Sequence, residues 1–375
     1  MKLFCTLLML LFACDVWSQG NDQCIFRFLE SGLHLGFVIP HAKEVAPVSK
    51  TLPVGVDILF HRLDTSYKSW STFSTYWSSG VRIAWYNFQN REVLGNAFTL
   101  NVFAEPVIAS RARWLFSVGG GMGISYNTRE YNKERNPGNQ FFGTKFNFSL
   151  SVFSKLNYMI TDHLSTVLTT YYNHISNGGI KQPNFGMNFP ILSLGIRYMP
   201  EVITLKKRRS DSTDIIPGFS FLFQGMTGYR VVDAGGVFPE KGFLATGMNI
   251  RTSKQLTNHY GINFGGEIIF DGAIREMIRR SGEENDYKRA ALTIGQDLKF
   301  GRAVFSQLFG FYVYSPQKAA GSFYQKYELS FMIHRNVGAG FFLKAHGHIA
   351  ELMGVQFFLF HPRDINLWLF TTTLQ

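Results

Sequence analysis

The sequence predicts an all-β fold: an antiparallel transmembrane β-barrel of about 16 strands, built from two related eight-strand halves. Three observations lead there. Aromatic residues make up 16% of the chain, with 37 Phe and 16 Tyr, while charged residues reach only 17%. A soluble domain is neither so aromatic nor so poorly charged, whereas a wall in lipid carries aromatic girdles on its outside. Past residue 18 no apolar run approaches the ~18 residues of a helical span, which excludes a helical membrane protein. Segments of roughly ten residues instead alternate in polarity between turn signals, and 36 glycines suit strands that crowd one another.

Residues 1–18 read as an export signal. Lys2 supplies the positive start, Leu3 to Ala13 the apolar stretch and Ser18 a small residue at the cleavage point. Leu11-Phe12-Ala13-Cys14 loosely resembles a lipobox, for which Phe12 is bulky. Cleavage after Ser18 removes Cys5 and Cys14 and leaves Cys24 alone, so neither an internal disulfide nor a cysteine metal cluster can form. Lys2 and Asp15 cancel, and the mature chain keeps the formal charge of +11. An exported basic chain suits an anionic, phosphorylated lipid surface. Without a nucleic-acid motif, no nucleic-acid partner is expected.

Residues 19–200 form the first half, with strands expected near 32–39, 53–62, 80–88, 97–108, 114–127, 143–159, 164–176 and 189–199. In the last of these, Pro190, Leu192, Leu194, Ile196 and Tyr198 share one face, with Ser193, Gly195 and Arg197 on the other. The apolar set is expected to meet lipid. A basic linker spans 201–217, marked by Lys206-Lys207-Arg208-Arg209-Ser210-Asp211-Ser212. The second half, 218–375, has strands expected near 218–229, 242–252, 260–271, 289–300, 303–315, 323–334, 338–349 and 353–360. An even count fits a bacterial barrel. One closed wall is preferred to two tandem ones, because each half alone would need its own first-to-last strand pairing.

The halves read as a repeat. Placing His348 on His174 aligns Phe331-Met332-Ile333 with Asn157-Tyr158-Met159, and the turn at Asn336 with that at Asp162, without gaps. Ala350 then falls on Ser176, and the loop after the serine has no counterpart. Only the first half can do chemistry.

That chemistry is concentrated in the thirteen residues His174-Ile175-Ser176-Asn177-Gly178-Gly179-Ile180-Lys181-Gln182-Pro183-Asn184-Phe185-Gly186. On a strand, residues i and i+2 project from one face, so the His174 imidazole and the Ser176 hydroxyl can be neighbours without help from elsewhere. The loop behind them can supply anion-stabilising donors. A base, a nucleophile and an anion pocket point to acyl transfer.

The segment Tyr172 to Tyr198 resembles the lipid A 3-O-deacylase (PagL-type) family. Over nearly the whole chain the sequence is similar to the larger exported acyloxyacyl hydrolases. The likeness rests on His174-x-Ser176-Asn177-x-Gly179, Pro183-Asn184-x-Gly186 and Leu194-Gly195-Ile196-Arg197-Tyr198. Leu94-Gly95-Asn96-Ala97 and Asn136-Pro137-Gly138-Asn139 add to it in the first half. Ile269-Phe270-Asp271-Gly272, Ile294-Gly295-Gln296-Asp297 and Tyr312-Val313-Tyr314 look like the longer members in the second.

What the resemblance implies is a barrel in the outer membrane of a Gram-negative bacterium. On its lipid-facing side it would hydrolyse an ester-linked acyl chain of lipid A, the lipid of lipopolysaccharide. Ser176 would be the nucleophile and His174 its base. The N–H groups of Asn177 and Gly179, with the Asn184 side-chain amide, would hold the oxyanion, and no cofactor would be needed. With a periplasmic N-terminus, odd-numbered strands run outward and the seventh ends at the cell exterior.

One position departs from the family. Its triad acid, fourteen residues after the base, is Asn188 here. An amide can orient an imidazole but cannot offset the charge of an imidazolium, and that exchange in a serine triad costs about four decades of turnover. A substitute carboxylate (Glu105 or Asp162), a slow enzyme, and a lipid-binding groove without catalysis all stay open.

Other features have simpler readings. Lys181 could meet a lipid phosphate as a point charge, or be a solvated loop lysine. Gly119-Gly120-Gly121-Met122-Gly123 lacks the Lys and the helix of a phosphate cradle and reads as a crowded strand. His346 and His348 have no third ligand nearby, so no metal is expected. Glu283-Glu284-Asn285-Asp286 reads as a solvated outer loop. The rival for the whole chain is a passive barrel, a channel or hydrophobic-solute transporter, in which the motif is a relic.

Overall fold

The computed structural model describes residues 24–67, 69–70, 74–203, 205, 219–257, 259–317, 321–347 and 349–362. The export signal, the basic stretch 206–212 and His348 lie outside the described residues. The first eight strands are β1 (Ile25–Gly36), β2 (Val54–Asp64), β3 (Trp77–Asn87), β4 (Asn96–Arg111), β5 (Trp114–Asn127), β6 (Phe146–Met159), β7 (Leu164–Ser176) and β8 (Met187–Tyr198). The second eight are β9 (Phe219–Val232), β10 (Lys241–Gln255), β11 (Tyr260–Asp271), β12 (Lys288–Phe300), β13 (Ala303–Tyr314), β14 (Phe323–His334), β15 (Val337–His346) and β16 (Ile349–Pro362). A helix, α1 (Gly272–Ser281), stands between β11 and β12. Gly119–Gly123 lie inside β5.

Sixteen strands in two halves form, as the alternation predicts, but the preferred single wall does not. β8 turns back onto β1, from Gly36 against Ile191 to Leu29 against Tyr198. β9 pairs with β16, from Ser220 against Pro362 to Gly228 against Gly354. Each half therefore closes on itself. The reason is volume: eight tilted strands enclose a space that side chains alone can fill, and the inward positions of both halves carry residues large enough to fill it.

In the first barrel the filling has two layers. At the end where β7 finishes, called the site end below, Tyr86, Phe88, Phe141, Phe142, Ile175 and Phe189 belong to one apolar cluster. Deeper in, buried charges are paired. Lys155 Nζ lies 2.8 Å from Glu30 and 3.0 Å from Glu105, Arg197 reaches Glu30 at 2.6 Å, and Arg82 Nε donates to Asp57 at 2.6 Å. The second barrel repeats the scheme with Lys326, 2.8 Å from Glu267 and 3.1 Å from Glu328. Groups so far from water persist only when paired in this way.

The outside is apolar. On β8 Leu194 is 63% exposed, while Ser193 and Arg197 are buried, which is the alternation read from the sequence. Leu33 on β1 (70%) and Met248 on β10 (66%) show the same face on their strands.

The two barrels stand side by side with the same sense. At the site end, Val231 of β9 donates its N–H to Ile180 O, in the loop between β7 and β8, at 2.9 Å. At the opposite end, the β2–β3 connection meets the β10–β11 turn, with Ser74 Oγ 3.4 Å from His259 Nε2. Trp77 and Phe300 bring their ring centroids to 5.5 Å there.

Candidate active site

On β7 the odd-numbered Val167, Tyr171 and Ile175 are buried in the barrel, and the even-numbered Leu168 and Tyr172 face out. His174 and Ser176 continue the outward row, as their spacing predicts. Ser176 is nevertheless only 6% exposed, because the loop 177–186 folds over it.

In the register of β7 and β8, His174 stands directly opposite Asn188. Its Nδ1 lies 2.7 Å from Asn188 Oδ1. An amide oxygen there requires the proton on Nδ1, which leaves Nε2 as the ring's lone-pair nitrogen. Gly186 fixes where that nitrogen lies. A methyl group placed on Gly186 would meet His174 Nε2 at 3.3 Å, His174 Cε1 at 2.8 Å and Ser176 Cβ at 3.0 Å. Imidazole and serine thus close on the same bare glycine. Gly186 has φ +69°, a left-handed conformation natural to glycine.

The loop is held by its own polar groups. Asn177 N–H donates to Asn184 Oδ1 at 3.0 Å, Gly179 N–H to Asn177 Oδ1 at 3.0 Å, and the Asn177 side chain to Lys181 O at 2.7 Å. Both N–H groups expected to face an oxyanion therefore donate within the loop. The N–H that points at the serine is that of Gly178, 3.3 Å from Ser176 Oγ. Asn184 uses its oxygen inside the loop, which leaves its Nδ2 amide as a donor.

Two further segments hold this arrangement. In the β5–β6 connection, Gln140 O and Phe141 O accept the N–H groups of Phe185 and Gly186, each at 3.2 Å. The Asn136-Pro137-Gly138-Asn139 segment anchors that connection: Asn136 and Asn139 both donate side-chain N–H groups to Val93 O at 3.0 Å. The chain after β1 runs along β8, where Ile39 N–H donates to Asn188 O at 2.9 Å. It delivers His41, whose Nε2 is 3.0 Å from Phe185 O. Sequence reasoning missed His41. Only an isolated histidine in a loop marks it, and no spacing rule links it to His174.

The other candidates lie elsewhere. Glu105 is buried among Lys155 and Arg197, and Asp162 sits in the β6–β7 connection at the far end of β7. Lys181 pairs with Glu240 at 3.2 Å, across to the second barrel. His346 is held by Glu351 at 3.1 Å and Phe323 O at 2.9 Å.

A family model described as lipid A 3-O-deacylase (PagL) matches residues 58–197, which run from β2 through β8. A second, described as acyloxyacyl hydrolase, C-terminal domain, matches 219–358, in the second barrel. The chain belongs to this lipid A deacylase family. The family acts on lipid A, and the likeness read from the motif extends to both barrels. No curated protein matches the chain. Among solved structures, a triple mutant of the Rhodopseudomonas blastica porin is 8% identical, covering 90% of this chain and 99% of that one, with a TM-score of 0.20. A TodX mutant, a monoaromatic hydrocarbon channel, is 6% identical over 91% of each chain with a TM-score of 0.19. Likeness at that level carries no argument about function.

Proposed function

We propose that the protein is an outer-membrane esterase that removes an ester-linked acyl chain from lipid A. The observation that carries this reading is the outward-facing pair: His174 fixed by Asn188 through Nδ1, with Nε2 and Ser176 against the same glycine. The export signal and the apolar outside of both walls support insertion in the outer membrane. An outward site there opens to lipid rather than to the lumen.

Ser176 Oγ attacks the ester carbonyl as its proton passes to His174 Nε2. The Gly178 N–H and the Asn184 Nδ2 amide stabilise the tetrahedral oxyanion, and the Asn177 and Gly179 bonds keep the loop in shape for them. Collapse breaks the C–O bond, and the departing sugar oxygen takes the proton from His174. Water, deprotonated by the same nitrogen, then hydrolyses the acyl-serine. No cofactor takes part. Asn188 fixes the ring without supplying a counter-charge, so turnover is slow for a serine hydrolase.

Of the rival readings, an inactive barrel, a hydrophobic-solute transporter or an aqueous channel, the separate closures weigh against the channel. A wall of sixteen strands leaves an aqueous lumen, whereas eight-strand walls filled with buried side chains do not. Mass spectra of lipid A from cells with and without the protein test the proposal. They will differ by one acyl chain, and Ser176→Ala will remove the difference. Identical lipid A in all three, with altered solute uptake, would favour the channel instead.

A further inference from the structure

We infer that the second barrel, which carries Ala350 where the first has Ser176, is the positioning partner of the catalytic loop, receiving residues 178–181 in an open seam of its wall. The inference rests on the esterase reading and adds to it the part played by the other half of the chain.

The seam is visible in the register. β9 continues to Val232 alongside β10, yet its pairing with β16 ends at Gly228 against Gly354. β16 begins five residues earlier, at Ile349, paired there only with β15. That pairing slips between Lys344 and Ala345, leaving Glu351 as an extra residue on β16. Bulges of this kind re-aim backbone groups and interrupt pairing. Between 229–232 of β9 and 349–353 of β16 the wall therefore has two facing edges with no ladder between them. An open edge invites a foreign strand.

The occupant is the loop of the first barrel. Ile180 O accepts the Val231 N–H at 2.9 Å. A methyl group on Gly179 would lie 2.9 Å from Ala350 O and 3.2 Å from Glu351 O, and one on Gly178 would lie 3.0 Å from Met353 Sδ. Both glycines have positive φ, +68° and +85°. Gly179 meets backbone carbonyls and Gly178 the Met353 side chain, which leaves no room for a Cβ at either and suits a Gly-Gly stretch. Glu240 holds Lys181 at 3.2 Å, and Arg280 of α1 steadies the β9–β10 connection through Asp233 O at 2.7 Å and Pro239 O at 2.8 Å. Since Gly178 N–H is the group that faces Ser176 Oγ, the seam holds an oxyanion donor at its place.

Val231→Pro in the full-length protein tests this, because proline removes the bridging N–H while the β10 side of β9 keeps its ladder. The expected result is a fall in kcat of about tenfold or more with KM nearly unchanged, as for a misplaced donor. Amide exchange in 177–181 quickens in the same variant. Val231→Ala keeps the N–H and the activity. Met353→Trp, which crowds Gly178 from the outer face of β16, gives the same fall should the proline variant not fold. Faster exchange with unchanged kcat overturns the positioning role, and unchanged exchange overturns the docking. If Ser176→Ala is as active as wild type, the esterase reading fails, and the exchange result alone then decides the docking.

Discussion

Gly186 is the residue on which the proposed catalytic pair turns. Its φ of +69° disfavours a side chain, and a methyl there would enter the space of His174 Cε1 at 2.8 Å. Gly186→Ala will therefore cut deacylation about a hundredfold, as displacements near an ångström do. The barrel will still fold, seen as unchanged heat-dependent migration in gels. Asn188 offers the opposite prediction. Asn188→Asp places a carboxylate on Nδ1 at the same cross-strand position, and kcat will rise by at least ~tenfold, since the reverse exchange costs about four decades. A flat response would mean that the ring is not the base. The shared face of His174 and Ser176 was legible because a strand's period of two is a local rule, whereas Asn188 was reached only through the family resemblance, and its place opposite His174 is a matter of register. The engagement of the Asn177 and Gly179 N–H groups was not legible. Which donors a loop leaves free depends on residues seven positions away in the chain, such as Asn184 for Asn177.

At the scale of elements, alternation located nearly every strand, with β5, β7, β11 and β14 at the expected bounds. β1 was the exception: 32–39 was expected and Ile25–Gly36 forms. Its inward row holds Phe28, Glu30 and His34 while Arg27 faces out, so polarity does not track the faces there. The run Phe37-Val38-Ile39 looks like strand but belongs to the segment that packs on the core through Val38. α1 was missed although its ends are marked, by Asp271 as N-cap and Gly282 with φ +72° after its last turn. Asp271 accepts the N–H groups of Ala273 and Ile274 at 2.9 and 3.2 Å. Asp271→Ala will loosen α1 by about 1 kcal/mol, read as faster amide exchange over 272–281 with the strands unaffected. The helix also has a pH signature. Hydrogen bonds from Arg279 and Arg280 bring the half-buried Glu276 carboxyl down to about 2. A depressed carboxyl stabilises the fold fully above its unfolded value and loses that contribution as pH falls through the folded one. Protection of α1 will be constant above roughly pH 4.5 and decline toward pH 2, and Glu276→Gln will flatten the profile.

For the whole molecule, the question the sequence left open was how the wall closes. Sixteen strands of one parity pattern fit one wide barrel or two narrow ones equally well, because closure depends on pairings as distant as Leu29 with Tyr198. A clue lay in the inward residues. Arg82, Tyr86, Phe189, Tyr324 and Lys326 are too bulky and too closely paired to line an aqueous channel, yet they suit a narrow lumen. Two consequences can be measured. In planar bilayers the protein will show no steady porin-like conductance, and an open-channel current of that kind would contradict both closures. Removing a charge from the filling will destabilise one barrel without opening it. In Lys155→Met, Glu30 and Glu105 stay buried with Arg197 as their remaining strong cation. An unmatched buried charge costs about 3–5 kcal/mol, so the first barrel will unfold at lower urea concentration while the second keeps its transition. If both transitions moved together, the contacts at the two ends would couple the barrels into one folding unit.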